Sequence, residues 1–362
     1  MKSFNEAALC PQLLKTLELM QFTTPTPIQA QAIPPALEGK DILGSAQTGT
    51  GKTGAFGIPI VNKLLTTPRG SAIIMTPTRE LAVQVMDALQ QMLGKYTTIK
   101  TALLIGGEAM PKQLQQLRMR PRLIVGTPGR INDHLGRGSL MLADAGTLVL
   151  DEMDRMLDMG FEVQIEKVLK FMPPTRQTLL FSATFPDNIQ KVAQKYLKNP
   201  VRIEVGSTNT PIARIQQELV HVKEEMKFPL LLEQLAARSG TVIIFVKTKF
   251  ATERLADKLN KHKITADAIH GDLRQNKRDR VIDQFRDQKF RVLVATDIAA
   301  RGLDIPHIEH VINYDLPQAP EDYIHRIGRT GRAGAEGSAV CFISPAEQIK
   351  WRAIHKLIHP DE

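Results

Sequence analysis

A chain of 362 residues is longer than one hydrophobic core organises, about 250–300 residues, so two domains are expected. Its 43% hydrophobic and 23% charged residues exclude a disordered chain; no run approaches the ~18 apolar residues of a membrane span, Asn5 and Glu6 interrupt any signal-peptide core, and a cytoplasmic protein without a membrane partner is expected. The formal charge of +9 favours a polyanionic partner, while two distant cysteines, Cys10 and Cys341, exclude a disulfide framework and a Cys-rich metal centre.

Short apolar runs at 41–46, 71–77, 101–107, 122–128, 147–152, 177–184 and 201–205 read as buried parallel strands. Amphipathic segments lie between several of them; over 80–93, Leu81, Val85, Ala88, Leu89 and Met92 fall at helical spacing. Strand alternating with helix predicts a parallel sheet covered on both faces, a doubly wound α/β lobe over residues 1–206. Small and turn-forming residues from Gly206 to Pro211 predict an exposed linker at 207–213. The alternation then resumes to residue 362, with strand-like runs at 242–246, 291–296, 310–314 and 338–343 and helix-like segments at 250–261, 277–287 and 345–358. A second α/β lobe, 214–362, is expected.

Residues 46–53 read Ala-Gln-Thr-Gly-Thr-Gly-Lys-Thr after an apolar strand and before a helical segment. In a phosphate loop glycine lets successive backbone N–H groups face the phosphates, lysine reaches the β and γ oxygens, and the last hydroxyl holds magnesium. Gln47, Thr48, Gly49, Thr50, Gly51, Lys52 and Thr53 are therefore candidate ATP-binding residues, with Thr53 a magnesium ligand and Lys52 also catalytic. Ala46 stands where the general pattern has its first glycine; a glycine-rich turn without a ligand is the bland alternative.

The run Thr147-Leu148-Val149-Leu150 ends in Asp151-Glu152, two carboxylates at the tip of a buried strand, where α/β lobes hold ligands. Asp151 is the candidate metal holder and Glu152 the group that orients the attacking water; solvated surface carboxylates are the alternative. Further on, His325-Arg326-Ile327-Gly328-Arg329-Thr330-Gly331-Arg332 spaces three guanidinium groups so that they can converge on an anion, as an arginine finger does. A solvated basic turn or a nucleic-acid patch would share that composition.

With these pieces in order, the chain resembles the DEAD-box family of RNA helicases over essentially its whole length. The resemblance implies two tandem RecA-like lobes on either side of the linker, with ATP and Mg2+ as cofactors and RNA as partner. It implies that Phe4 stacks on the adenine and that Gln29, in Pro25-Thr26-Pro27-Ile28-Gln29, reads the adenine edge. Pro77, Thr78 and Arg79, Gly106 and Gly107, and Thr127, Pro128, Gly129 and Arg130 resemble the family's RNA-facing loops; Ser182, Ala183 and Thr184, with Asp154, resemble the segments that couple hydrolysis to strand separation. In the second lobe the resemblance assigns Thr296 and Arg301 to RNA and Asp304 to the ribose. Arg329 and Arg332 would reach the γ-phosphate, His325 and Arg326 would join a lobe-to-lobe network, and Gln275 and Arg278 would contact RNA or the opposing lobe.

Two positions depart from the family pattern. The tetrad reads Asp151-Glu152-Met153-Asp154, with methionine where alanine is usual, and Gln21 stands where glycine often precedes Phe22. Met153, Met156 and Met159 are expected to fill core space at helical spacing. With 5% aromatic residues and RNA-facing loops of Gly, Thr, Pro and Arg, recognition of phosphate and sugar without sequence reading is expected. The expected activity is an RNA-dependent ATPase, a monomer with no protein partner legible in the sequence, that separates short duplexes locally as its lobes close and reopen. A DNA translocase and a slowly hydrolysing RNA clamp are the rival readings.

Overall fold

The computed structural model describes residues 1–362 except 46–49, 96, 184, 186, 206–214, 301–304, 306, 332–336 and 359–362, and except the side chains of Gln275, Ile298 and Glu321. The expected linker lies outside the described residues. Contacts divide the chain into two compact units, Met1–Gly206 and Ser207–Glu362.

The N-terminal unit is built on seven strands: β1 (Ile42–Ser45), β2 (Ser71–Met75), β3 (Thr101–Leu104), β4 (Leu123–Gly126), β5 (Ala145–Leu150), β6 (Gln177–Ser182) and β7 (Val201–Glu204). They form one sheet in the order β3-β4-β2-β5-β6-β1-β7, and every neighbouring pair is parallel. Successive residues face opposite sides of a strand, so a sheet covered on both faces needs apolar side chains at every position. Ile74 accordingly packs into a core beneath the helices Lys52–Thr66 and Arg79–Leu93, while Ile73 and Met75 pack into a second core that includes Leu148, Leu150 and Met156. Asp41, buried at the entrance to β1, accepts from Thr178 N at 2.8 Å and Lys198 N at 2.7 Å. That carboxylate pins β1 between β6 and β7.

The C-terminal unit holds β8 (Ile215–His221), β9 (Val242–Phe245), β10 (Ala266–Ile269), β11 (Val292–Ala295), β12 (His310–Asn313) and β13 (Gly337–Ile343). Its six-stranded sheet runs β10-β11-β9-β12-β13-β8 and is also parallel throughout. Two strands lack the continuous apolar run expected of a buried strand. β8 is an edge strand with an alternating, half-exposed pattern, and β10 is the short Ala-Asp-Ala-Ile segment at the other edge.

Two buried cations brace the C-terminal ends of these strands. Lys227, 1% exposed, donates to Asp315 at 3.2 Å and Glu347 at 3.0 Å and pairs with Glu224 at 3.1 Å. Asp315 in turn accepts from Lys247 N at 2.9 Å, and Glu347 from Leu316 N at 2.9 Å and Ser344 Oγ at 2.8 Å, so one ammonium joins the exits of β9, β12 and β13. Burial alone would lower the Lys227 pKa, but the surrounding carboxylates, Asp315 foremost, hold it above the usual lysine value. Arg326 supplies the second brace. Its Nε and Nη2 grip Asp297 at 2.5 and 2.7 Å, and its Nη1 donates to Asn313 Oδ1 at 3.0 Å and Asp315 O at 2.6 Å.

Among the described residues no helix is long and apolar enough to cross a membrane. Removing a buried cation leaves its carboxylates unpaired, and Lys227→Met is expected to destabilise the C-terminal unit by about 2–4 kcal/mol. A lowered urea midpoint for that unit, with the N-terminal transition unchanged, is the observation that checks it.

Candidate functional site

Because every strand of the N-terminal sheet points the same way, all strand exits lie along one edge, and the strand order sorts them. β5, β6 and β1 are adjacent, so Asp151-Glu152, Ser182-Ala183 and the helix start at Lys52 are neighbours. β3, β4 and β2 are likewise adjacent, which brings Gly106-Gly107, Thr127-Arg130 and Pro77-Arg79 together. Among the expected residues, Gln47, Thr48, Gly49, Thr184, Arg301, Asp304 and Arg332 lie outside the described ones.

Gly51 caps the helix Lys52–Thr66 with φ 93°, a left-handed conformation that glycine adopts without penalty. A Cβ on Gly51 would also lie 2.7 Å from Gln29 Nε2 and Thr26 Oγ1. Gln29 closes a capping box on the helix Pro27–Leu37: its Oε1 accepts from Thr26 N at 3.0 Å, and its Nε2 donates to Gly51 O at 3.1 Å. A carboxamide carries two donors and two acceptor sites, so this side chain keeps capacity for a base edge while holding the phosphate loop. Phe4 does not stand at that position. It is 4% exposed in the core behind Phe22, with ring centroids 6.0 Å apart. Half-exposed Phe22 borders the site instead, since a Cβ on Gly54 would meet Gln29 Nε2 at 2.5 Å and the Phe22 ring at 3.4 Å.

Lys52, on the first turn of its helix, is 7% exposed, Asp151 2% and Ser182 0%. Lys52 Nζ, Asp151 Oδ1 and Ser182 Oγ have no hydrogen-bond partner among the described residues. Buried polar atoms are ordinarily paired because desolvation without a partner costs several kcal/mol. A phosphate oxygen would satisfy Lys52, and a divalent cation would satisfy Asp151. With the half-exposed Thr53 hydroxyl the donors are all oxygen, which suits Mg2+.

The carboxylates are linked to their neighbours. Glu152 sits in the left-handed region, φ 53°, and its Oε2 accepts from Arg155 Nη1 at 2.7 Å with both side chains buried. Asp154 Oδ2 accepts from Ala183 N at 3.1 Å, while Ser45 Oγ donates to Ala183 O at 3.0 Å. The Ala183 peptide thus ties the turn after β5 to the end of β1. Arg155 is a site residue that motif reading passes over, although its three-residue spacing from Glu152 on a helical turn was a legible signal.

On the other third of the edge, Pro77 and Thr78 are buried, and Thr78 caps the helix Arg79–Leu93 by accepting from Leu81 N at 3.2 Å. Arg79 lies against Gly106, whose added Cβ would be 3.1 Å from Arg79 Nη2. Thr127 and Pro128 are buried at the start of the helix Pro128–Gly136, Gly129 and Gly107 are exposed, and Arg130 is half-buried, 3.8 Å from Asp133.

In the C-terminal unit, Thr296 is half-exposed at the exit of β11. Arg329 is 3% exposed and donates from Nε to His325 O at 3.2 Å. Two expectations are corrected. Arg326 is engaged through Nε, Nη1 and Nη2 inside its own unit and stacks over Phe245 at 4.9 Å, so it acts as a strut instead of reaching outward. Arg278, expected to contact RNA or the opposing lobe, is buried, its Nη1 and Nη2 directed at His270 O and Ala299 O at 3.4 Å beside the β10 exit. His325 lies beside Asp322 at 3.7 Å. Gln275 opens the helix Gln275–Arg286.

Residues 26–192 match the DEAD/DEAH box helicase family, and residues 226–334 match the helicase conserved C-terminal domain. The chain is 46% identical over 358 residues to the DEAD-box ATP-dependent RNA helicase CshA of Bacillus cereus, covering 98% of this chain and 68% of that protein. It is 45% identical to CshA of Bacillus subtilis over 356 residues, 98% of this chain and 72% of that one. The chain belongs to the DEAD-box family of ATP-dependent RNA helicases. Its fold matches S. cerevisiae Dbp5 bound to RNA and ADP BeF3 with TM-score 0.89 at 36% identity, covering 100% of this chain and 95% of that one. It matches the DEAD-box helicase Mss116 bound to ssRNA and UDP-BeF with TM-score 0.87 at 31% identity, 98% and 77% covered.

In this DEAD-box helicase the departure at Met153 is absorbed by packing: Met153 and Met156 are fully buried in the core beneath β5, whereas Met159 is half-exposed outside it. Burial pushes the Asp151 carboxyl up to about 6, with Glu152 and Asp154 adding repulsion and Lys52 opposing it. A carboxyl whose folded pKa is raised binds more protons folded than unfolded between about 4 and 6, so its ionisation lowers stability as pH rises through that window, and the loss persists above it. Asp151→Asn is therefore expected to stabilise the ligand-free N-terminal unit by up to about 3 kcal/mol at pH 8 and by little at pH 4. Melting temperatures of both proteins across that range check the sign.

Proposed function

We propose that this helicase binds ATP and Mg2+ at the exits of β5, β6 and β1 and the phosphate backbone of RNA at the exits of β3, β4 and β2. The observation that carries the reading is the trio of buried, unsatisfied atoms, Lys52 Nζ, Asp151 Oδ1 and Ser182 Oγ. Lys52 takes the β and γ phosphates, Thr53 and Asp151 hold the metal, and Glu152 orients the attacking water. The metal, when bound, neutralises charge developing on the phosphate oxygens. Phe22 stacks on the adenine and Gln29 reads its edge, with Phe4 supporting Phe22 from behind. Arg329 supplies the cation that stabilises the transferred phosphoryl group.

The RNA reading is supported by helix direction. The helices Arg79–Leu93, Met110–Arg118 and Pro128–Gly136 begin at the exits of β2, β3 and β4, so three positive helix ends gather where a phosphate chain would run. Contacts of this kind fix register without reading bases. Gly107 and Gly129 are exposed there, with Arg79 and Arg130 half-buried beside them. Closure of the two units on ATP and RNA, followed by reopening after hydrolysis, couples turnover to local strand separation; two free thiols at Cys10 and Cys341 suit a cytoplasmic setting.

The deciding experiment is steady-state ATP hydrolysis with single-stranded RNA, with DNA of equal length, and without nucleic acid. RNA-specific stimulation, abolished in Lys52→Ala and lost in Arg329→Ala, is expected; equal stimulation by DNA would replace the reading with a DNA translocase. A second measurement isolates the base pocket. Gly54→Ala must displace the Gln29 carboxamide, the flexible group in its way, and is expected to fold normally yet lose most of its preference for ATP over GTP.

A further inference from the structure

We infer that Arg155 is a positioning residue for the hydrolytic carboxylate: its guanidinium holds Glu152 Oε2, so that the carboxylate is kept where it meets the attacking water. The inference rests on the assignment of Glu152 made above and concerns a residue outside that assignment. Arg155 and Glu152 are 2% and 4% exposed, joined at 2.7 Å, three residues apart across the start of the helix Met153–Asp158.

Three features of the geometry point to aim instead of stability. An Arg and a Glu buried together stabilise a fold little, because the desolvation of both charges offsets their attraction; apolar residues of the same size would serve the core as well. The pair also sits on strained backbone, since Glu152 holds φ 53° without being glycine, at a cost of order 1 kcal/mol. Finally, the flanking side chains Met153 and Met156 are fully buried on the same short helix, so the segment that carries Arg155 is anchored in the sheet and cannot follow a drifting carboxylate. A guanidinium donates only in its own plane, so the single bond from Nη1, held by such an anchor, fixes the position of Oε2. Asp154, next in line, bonds Ala183 N and Arg155 N, so the aimed carboxylate stands on the segment tied to the end of β6.

The prediction is a loss in kcat without a loss in binding. Arg155→Met, which keeps bulk and removes charge, is expected to lower RNA-stimulated kcat by about tenfold or more, with KM for ATP and affinity for ADP and single-stranded RNA within about twofold. Arg155→Lys keeps a cation but loses the fork, and is expected to fold as the parent does with an intermediate kcat. In a Glu152→Gln background, where the single-turnover rate is already low, Arg155→Met is expected to add nothing, because both changes remove one device. An equal fold-loss in both backgrounds, or a rise in KM matching the fall in kcat, would make Arg155 a residue of the core and overturn the inference. Should Arg155→Met not fold, Arg155→Lys decides alone: parental kcat overturns it, and a kcat lowered about threefold or more at parental KM sustains it. A Glu152→Gln parent with undiminished turnover would instead sink the assignment of Glu152 itself.

Discussion

Within each sheet every strand runs parallel to its neighbours, and this constraint shapes the rest of each unit. A parallel pair needs a crossover, the crossovers are mostly helices, and each such helix starts where a strand ends. The exits of β2, β3, β4 and β1 therefore open into helix N-termini along one edge. On the proposed reading the strand order separates two tasks on that edge: β5-β6-β1 gather Lys52 and the carboxylates, and β3-β4-β2 gather small and basic residues that would suit a phosphate chain.

Each unit handles charge at its own strand exits, and the two do so in opposite ways. In the N-terminal unit Lys52 Nζ, Asp151 Oδ1 and Ser182 Oγ are buried with no partner among the described residues, an arrangement that costs stability in the ligand-free unit. In the C-terminal unit Arg326 and Lys227 are buried too, but each is paired to carboxylates at strand exits. One edge is left poised for ligands, and the other is braced. The ligand-free N-terminal unit gains from whatever satisfies Lys52 and Asp151, so binding and folding are linked there.

The fold was legible wherever one physical signal sufficed. Continuous apolar runs located most strands to within a residue or two, because a sheet covered on both faces admits nothing else. β8 escaped notice because an edge strand keeps polar residues such as Gln216, Gln217 and Glu218, and β10 because four residues with an aspartate carry little pattern. The strand exits at Ser45 and Leu150 were legible because contiguous small or acidic residues follow an apolar run there. Side chains whose partners lie far along the chain were not. Arg326 and Arg278 read as outward-facing cations until Asp297, Asn313, His270 and Ala299 appeared around them. Phe4 was expected to stack on a base, and its burial behind Phe22 carries no mark in the sequence.

The bond from Gln29 to Gly51 O gives the base pocket mechanical authority over the phosphate loop. On the proposed reading, the carboxamide that meets the ring edge also holds the turn below it, which would make nucleobase identity part of the loop's shape. An uncharged, planar inhibitor that engages only that carboxamide would thus misalign the cradle for the triphosphate while never competing for it. Selectivity against other ATP-using enzymes would then come from this linkage, which a polyphosphate mimic would not exploit.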